Sequence, residues 1–96
     1  MSYSLAFVES ALKEWRKIAP NIREQLKDKL AERLRQPHVP SAKLHSLKGC
    51  YKIKLRATGY RLVYQVEEKL VVVTVIAVGK CDKGQVYVAA SKRLKV

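Results

Sequence analysis

Apolar positions along the chain change their period from two residues to about 3.6 and back again. Ser2–Val8 alternates large apolar side chains with smaller ones, which predicts a first β-strand. Glu9–Ile18 carries apolar residues at helical spacing and charged residues opposite them, which predicts a helix. Asn21 and Glu24 have the spacing of a capping box, so a second helix is expected to begin there and to end before Pro37. The apolar stripe of this second helix consists of Ile22, Leu26, Leu30 and Leu34.

The second half of the chain returns to the strand period. Tyr51–Leu55 and Tyr60–Val66 both alternate apolar and polar residues, so they predict two strands joined by the four residues Arg56–Gly59. Leu70–Val78 is a β-branched apolar run, which favours a central strand that is buried on both faces. The segment Asp82–Leu94 begins with a second capping pattern and predicts a short C-terminal helix.

This order, β-α-α-β-β-β-α, predicts an α+β fold with a small, mainly antiparallel sheet. We expect the two N-terminal helices to pack on one face of the sheet and the short C-terminal helix to follow the last strand. The other face is then left open to a ligand. The length fits one domain that spans residues 1–96.

The net charge of the chain indicates which kinds of partner it binds, but it says little about the fold. There are 20 Lys+Arg and 8 Asp+Glu residues, a net charge of +12, in a chain whose 48% hydrophobic content is ordinary for a globular protein. Such a surface favours a polyanionic partner. No run approaches the ~20 apolar residues of a membrane span, and the first residues lack a secretory signal pattern, so we expect a cytoplasmic protein without a membrane partner.

A cationic patch follows from the register of the predicted hairpin. If Arg56–Gly59 is the connection, Leu55 faces Tyr60, and Lys54 then lies opposite Arg61 on the other face, next to Lys52. Like charges directly across a ladder are destabilising. No carboxylate occurs between Leu47 and Val66, so we interpret this patch as an anion site rather than ordinary solvent coverage.

The end of the next predicted strand is expected to converge on the same place. Its antiparallel course brings Lys80 and Cys81 next to Lys54 and Arg61, with Tyr87 about one helical turn further on. Cys50 lies at the far end of its strand from Cys81, beyond the reach of a disulfide, so two free thiols are predicted. Neither cysteine has a histidine at metal-ligand spacing, and we expect no metal or other cofactor.

Several segments resemble the RelE family of the RelE/ParE superfamily, the toxins of bacterial type II toxin–antitoxin systems. They are Ala11–Lys17, Cys50–Arg56, Gly59–Val66, Val78–Lys80 and Val86-Tyr87, and the likeness extends over essentially the whole chain. The resemblance implies an mRNA interferase that enters the A site of the 70S ribosome and cuts the mRNA there. It also implies a RelB-like antitoxin that silences the toxin, and a toxin–antitoxin complex that binds operator DNA and represses its own operon.

The resemblance further implies that Lys52, Lys54, Arg61 and Tyr87 form the catalytic site. There the ribose 2′-OH would attack the adjacent phosphate, a reaction that needs cations around the developing charge and two proton transfers. We predict Lys52 as the general base, because Lys54, Arg61 and Lys80 disfavour its ammonium form. Lys54 and Arg61 would stabilise charge, and Tyr87 would stack on a base or transfer a proton. Which lysine serves as base and which as acid stays open.

Cys81 departs from the family pattern, which has an arginine after Gly79 and Lys80. A thiol lacks the forked donors of a guanidinium, so weakened cleavage with retained binding of ribosome and antitoxin is predicted. Two alternatives stay open: a gyrase-poisoning toxin of the ParE type, and a basic nucleic-acid-binding module without catalysis. Further RNA or ribosome contacts are expected at Lys43, His45, Arg56, Lys80 and Lys83.

Overall fold

A four-stranded sheet with helices on both faces forms the computed structural model, which describes residues 2–80 and 84–94. Its strands lie in the order β1-β4-β3-β2, with β1 parallel to β4 and the other pairs antiparallel. The α+β class and the predicted order of elements are therefore confirmed. The elements are β1 Ser4–Phe7, α1 Glu9–Lys17, α2 Pro20–Arg35, a 3-10 turn Pro40–Ala42, β2 Cys50–Lys54, β3 Tyr60–Glu67, β4 Val72–Lys80 and α3 Gln85–Leu94.

The start of α2 differs from the capping box that the sequence predicts. The helix begins at Pro20, and Ala19 is the N-cap residue without a side-chain cap. Proline is favoured at the first helical position, because its fixed φ suits the helix and its missing N–H would have no partner there. Asn21 and Glu24 therefore lie inside the first turns, and the predicted capping box is wrong. The other capping pattern begins at Asp82, which lies outside the described residues.

The main core lies between α1, α2 and one face of the sheet. The register of β2 and β3 is the predicted one, with Tyr51 opposite Tyr64 and Ile53 opposite Leu62. Tyr64 is fully buried, and its hydroxyl donates a hydrogen bond to the carbonyl of Pro37 at 2.7 Å. Arg33 donates to the same hydroxyl at 3.0 Å and to the carbonyl of Lys52 at 3.0 Å. These bonds tie the end of α2 and Pro37 to the strands β2 and β3.

A second, smaller core lies on the opposite face, where α3 packs. Val86 and Ala90 of α3 are buried in one cluster with Val63 and Ala77 of the sheet. This face is therefore not left open as expected: α3 covers β4 and part of β3, and the outer face of β2 remains uncovered by it. Within residues 2–80 and 84–94, no helix is long and apolar enough to cross a membrane.

A β-bulge in β4 changes which of its residues face each core. The pairing shifts between Val63, opposite Ala77, and Tyr64, opposite Val75, so Ile76 has no partner of its own. Ile76 and Ala77 consequently lie in the same core cluster although they are neighbours in sequence. Each residue of β4 after Ile76 therefore points to one face of the sheet, whereas in a ladder without the bulge it would point to the other face.

Candidate functional site

Lys54 and Arg61 are directly opposite each other on β2 and β3, as the sequence predicts. Cross-strand partners have Cβ atoms about 4.5–5.5 Å apart. Lys52 lies two residues earlier on β2, on the same face and roughly 7 Å along the strand. Lys54 is exposed, whereas Lys52 and Arg61 are half-buried. We call these three residues the cation cluster.

No acidic side chain of the described residues forms an ion pair with the cation cluster. The ion pairs between described residues are Lys13–Glu9, Lys27–Glu24, His38–Glu68 and Arg93–Glu14. The Nε atom of Arg61 is buried and has no hydrogen-bond partner. Three neighbouring cations without a paired carboxylate are stabilised when an anion binds among them. The geometry therefore suits an incoming anion such as a phosphate.

The first turn of α3 lies beside this cluster. Gly79 is opposite Arg61, and a Cβ atom added at Gly79 would lie 3.7 Å from Cγ2 of Val86. The helix thus approaches the sheet next to Arg61. Tyr87 follows Val86, is half-buried and packs against the smaller core. The structure accordingly brings the segment that carries Tyr87 to the rim of the cation cluster.

Lys80 does not join the cation cluster. It is opposite Tyr60, on the face of the α1–α2 core, and its Cε atom lies 4.0 Å from a Cβ atom added at Gly59. The end of β4 does reach the β2–β3 turn as predicted, but the bulge turns Lys80 to the other face. The expectation that Lys80 lies beside Lys54 and Arg61 is therefore wrong.

The remaining predicted contacts are dispersed. Arg56 is exposed in the β2–β3 turn, and His45 is exposed in the loop before β2. Lys43 pairs with Tyr51 and lines a groove of about 800 Å³ at the other end of the hairpin, away from the cation cluster. Cys81 and Lys83 lie outside the described residues.

Cys50 is a buried free thiol. Burial, together with the nearby carboxylate of Glu67, raises the pKa of Cys50 to about 11, so it stays protonated at neutral pH. A protonated, buried thiol is neither a nucleophile nor a metal ligand. Among residues 2–80 and 84–94, no group of three or more His, Cys, Asp or Glu side chains is placed to hold a metal ion.

One polar contact of the structure was missed by sequence reasoning. Glu14 of α1 accepts hydrogen bonds from both terminal nitrogens of Arg93 of α3, at 2.8 and 3.0 Å. It also accepts from the backbone N–H of Val78 at 3.3 Å. Burial raises the pKa of Glu14, but the bonds from Arg93 and Val78 and the charges of Arg93 and Lys17 outweigh it and hold that pKa below 4.5. Glu14 is 79 residues from Arg93 and 64 residues from Val78, so no local sequence pattern reveals these contacts.

The fold of this chain is that of a class of toxins of type II toxin–antitoxin systems. The family of the ParE toxin of the type II toxin–antitoxin system parDE matches residues 5–83, and the chain belongs to this family. Among its relatives, the mRNA interferase toxin RelE of Escherichia coli strain K12 is 55% identical over 94 residues, which are 98% of this chain and 99% of the relative. The predicted resemblance is therefore confirmed.

Solved structures agree with the sequence relatives. A double mutant of the E. coli toxin RelE in the free state superposes with a TM-score of 0.91 at 55% identity, over 98% of this chain and 99% of the other. The toxin in the intact E. coli RelBE toxin–antitoxin complex gives a TM-score of 0.83 at 56% identity, over 85% of this chain and 100% of the other. The similarity to these RelE structures thus extends over most or nearly all of the chain.

Proposed function

We propose that this protein is a ribosome-dependent mRNA interferase, an endoribonuclease that cuts mRNA in the ribosomal A site. The observation that carries the proposal is the cation cluster, which lacks a carboxylate partner among the described residues and faces outward from the sheet. The chain is 55% identical to a protein named mRNA interferase toxin RelE, which supports the same activity.

The chemistry we assign to this site is an internal transfer of the phosphodiester. The ribose 2′-oxygen forms a bond to the adjacent phosphorus while the bond from phosphorus to the 5′-oxygen breaks. The 2′-OH gives its proton to a base, for which we propose Lys52, and the leaving 5′-oxygen takes a proton from an acid. The products are a 2′,3′-cyclic phosphate and a free 5′-hydroxyl.

Charge stabilisation is the largest contribution we expect from the site. Negative charge grows on the phosphoryl oxygens in the transition state, and Lys54 and Arg61 are placed as a pair to meet it. Arg61 is only half-buried, so the accessible part of its guanidinium can donate charged hydrogen bonds to the phosphoryl oxygens. Tyr87 is proposed to stack on a base or to transfer a proton at the rim.

Cys81 stands where the resemblance places an arginine. Because a thiol does not supply a bidentate cationic donor, cleavage by this chain is proposed to be weaker than with arginine at that position, by roughly 10²–10³-fold. We propose that binding of the ribosome and of the antitoxin does not depend on the side chain at position 81.

The proposed protein partner is a RelB-like antitoxin. The support comes from the E. coli relatives, whose toxin is found in a RelBE complex and with a RelB peptide. The proposal further includes the 70S ribosome as a partner and operator DNA through the toxin–antitoxin complex, all in the cytoplasm. The net charge of +12 favours these polyanions.

Primer extension on mRNA from translating ribosomes tests the activity, with Cys81→Arg beside the chain as it stands. In that background, Lys54→Gln is expected to reduce cleavage about 10²-fold. Lys69→Gln, which removes the charge of another exposed lysine in the β3–β4 turn, serves as the matched control and is expected to change cleavage less than twofold. Equal losses from both variants would show that the cation cluster is not the active site, and ribosome binding without any cleavage would indicate a non-catalytic basic binder. Cleavage of plasmid in a gyrase assay, with intact mRNA, would indicate a ParE-type poison instead.

A further inference from the structure

The second half of β4 has an open edge. β1 ends at Phe7, after which the N–H of Val8 donates to the carbonyl of Val75 at 3.0 Å and the chain turns into α1. Beyond this point no described strand pairs with β4 on that side. The backbone groups of Ile76 and Val78 that point outward there need other partners.

Two side chains from opposite faces of the sheet supply these partners. The carboxylate of Glu14 accepts from the N–H of Val78 at 3.3 Å, and Arg93 donates to the carbonyl of Ile76 at 2.8 Å. Glu14 and Arg93 also bind each other through two parallel hydrogen bonds. The ion pair therefore reaches around the edge of β4 and joins α1 on one face to α3 on the other.

This pair is more protected from solvent than the other carboxylate ion pairs of the described residues. The side chains of Arg93 and Glu14 are 24% and 36% exposed, against 69% and 86% for the Lys13–Glu9 pair on α1. Screening by water weakens exposed pairs to near zero, whereas a half-buried bidentate pair keeps its geometry and strength.

Apart from this pair, α3 packs through apolar side chains, of which Tyr87, Ala89 and Leu94 are only partly buried. Its buried side chains are the small ones Val86 and Ala90, which lie on the same stripe as Arg93. Tyr87 is six residues before Arg93, so the two are about 9 Å apart along the helix axis. The two residues lie within two helical turns of each other, so fixing the last turn of α3 also limits the movement of its first turn.

We propose that the Glu14–Arg93 pair is a latch that positions Tyr87 beside the cation cluster. The pair fixes the last turn of α3 to the open edge of β4, and the first turn then holds Tyr87 at the rim next to Arg61. Glu14 and Arg93 are positioning residues, because neither lies in the cation cluster. The effect on cleavage rests on the proposed function, whereas the effect on α3 does not.

Hydrogen exchange tests the latch without any assay of activity. Arg93→Gln is expected to speed exchange of the backbone amides of residues 88–94 at least about tenfold, the factor a charged hydrogen bond contributes. Exchange in Leu26–Leu34 of α2 should not change. Lys92→Gln removes the neighbouring charge, which is exposed, and is the matched control with no expected effect. Equal exchange in α3 of the Arg93→Gln and Lys92→Gln proteins overturns the latch.

A double-mutant cycle with Tyr87 separates positioning from general stability. In the Cys81→Arg background, Arg93→Gln and Glu14→Gln are each expected to lower the single-turnover cleavage rate on saturating ribosomes about tenfold. In a protein that also carries Tyr87→Ala, the same substitutions should lower it less than twofold, since Tyr87 is no longer there to be positioned. Fully additive losses overturn the positioning role. If the Cys81→Arg protein itself does not cleave, the proposed function fails, and the exchange result still decides the latch.

Discussion

Replacing Arg61 by methionine is expected to stabilise the protein while it removes activity. The guanidinium is opposite Lys54, and like charges directly across a ladder cost about 0.2–1 kcal/mol. Its buried Nε has no hydrogen-bond partner, a cost of about 1–3 kcal/mol. Methionine keeps most of the aliphatic contact. The expected gain in the free energy of unfolding is about 1–3 kcal/mol, or a rise in Tm of roughly 4–15 °C for a domain of this size.

Urea and thermal unfolding of Arg61→Met measure the stability, and primer extension measures cleavage, expected to fall roughly 10²–10³-fold. Arg56→Met is the control, because Arg56 is exposed in the turn and its loss should change stability by less than about 0.5 kcal/mol. A destabilised Arg61→Met protein would show that the guanidinium is a structural group. The interpretation of the cluster as a strained anion site would then be refuted.

Three further outcomes are expected from the same structure. Tyr64→Phe leaves the buried carbonyl of Pro37 without its hydroxyl donor and should lower the free energy of unfolding by about 1–3 kcal/mol, whereas Tyr60→Phe, which loses no hydroxyl contact, should not. The pKa of Glu14 is held below 4.5 in the folded protein, so its ion pair stabilises the fold above pH 4.5. This stability is lost as the pH falls through the lower pKa of the folded state. In urea unfolding from pH 3 to 7, the midpoint of Glu14→Gln should therefore fall less at low pH than that of the unchanged protein. In a Cys81→Ser protein, Cys50 should resist alkylation at pH 8 and react once urea unfolds the chain, because burial keeps its pKa near 11; prompt reaction in the folded state would contradict this.

The β2–β3 hairpin shows how much of the site follows from sequence alone. β2 alternates strictly and Val63 is the one apolar residue on the outer face of β3; with Arg56–Gly59 as the connection, the register buries Tyr51, Ile53 and Leu55 together. That register fixes Lys54 opposite Arg61, as the structure confirms. Alternation fixes the pairing register of two strands wherever one face is apolar and the other is polar, and here it was sufficient to predict the Lys54–Arg61 pair.

The position of Lys80 was beyond the reach of the same reasoning. Val72–Val78 is apolar apart from Thr74, because this part of β4 lies between two cores, so its pattern contains no alternation that a bulge would interrupt. Without the bulge, Lys80 would share the face of Arg61. The Glu14–Arg93 ion pair could not be predicted for a related reason. It depends on where β1 ends along β4 and on which face of the sheet α3 packs, and neither is visible in the local sequence pattern.

The bulge also has a consequence for how such toxins diversify. Deleting the unpaired Ile76 would leave Gly79 opposite Arg61, whereas deleting one residue after the bulge, such as Val78, would place Lys80 opposite Arg61 instead. A lysine would then be added to the face that carries the cation cluster without any replacement of a side chain there. Changes of strand length, which leave the composition of the surface untouched, are thus a route by which relatives gain or lose a cation.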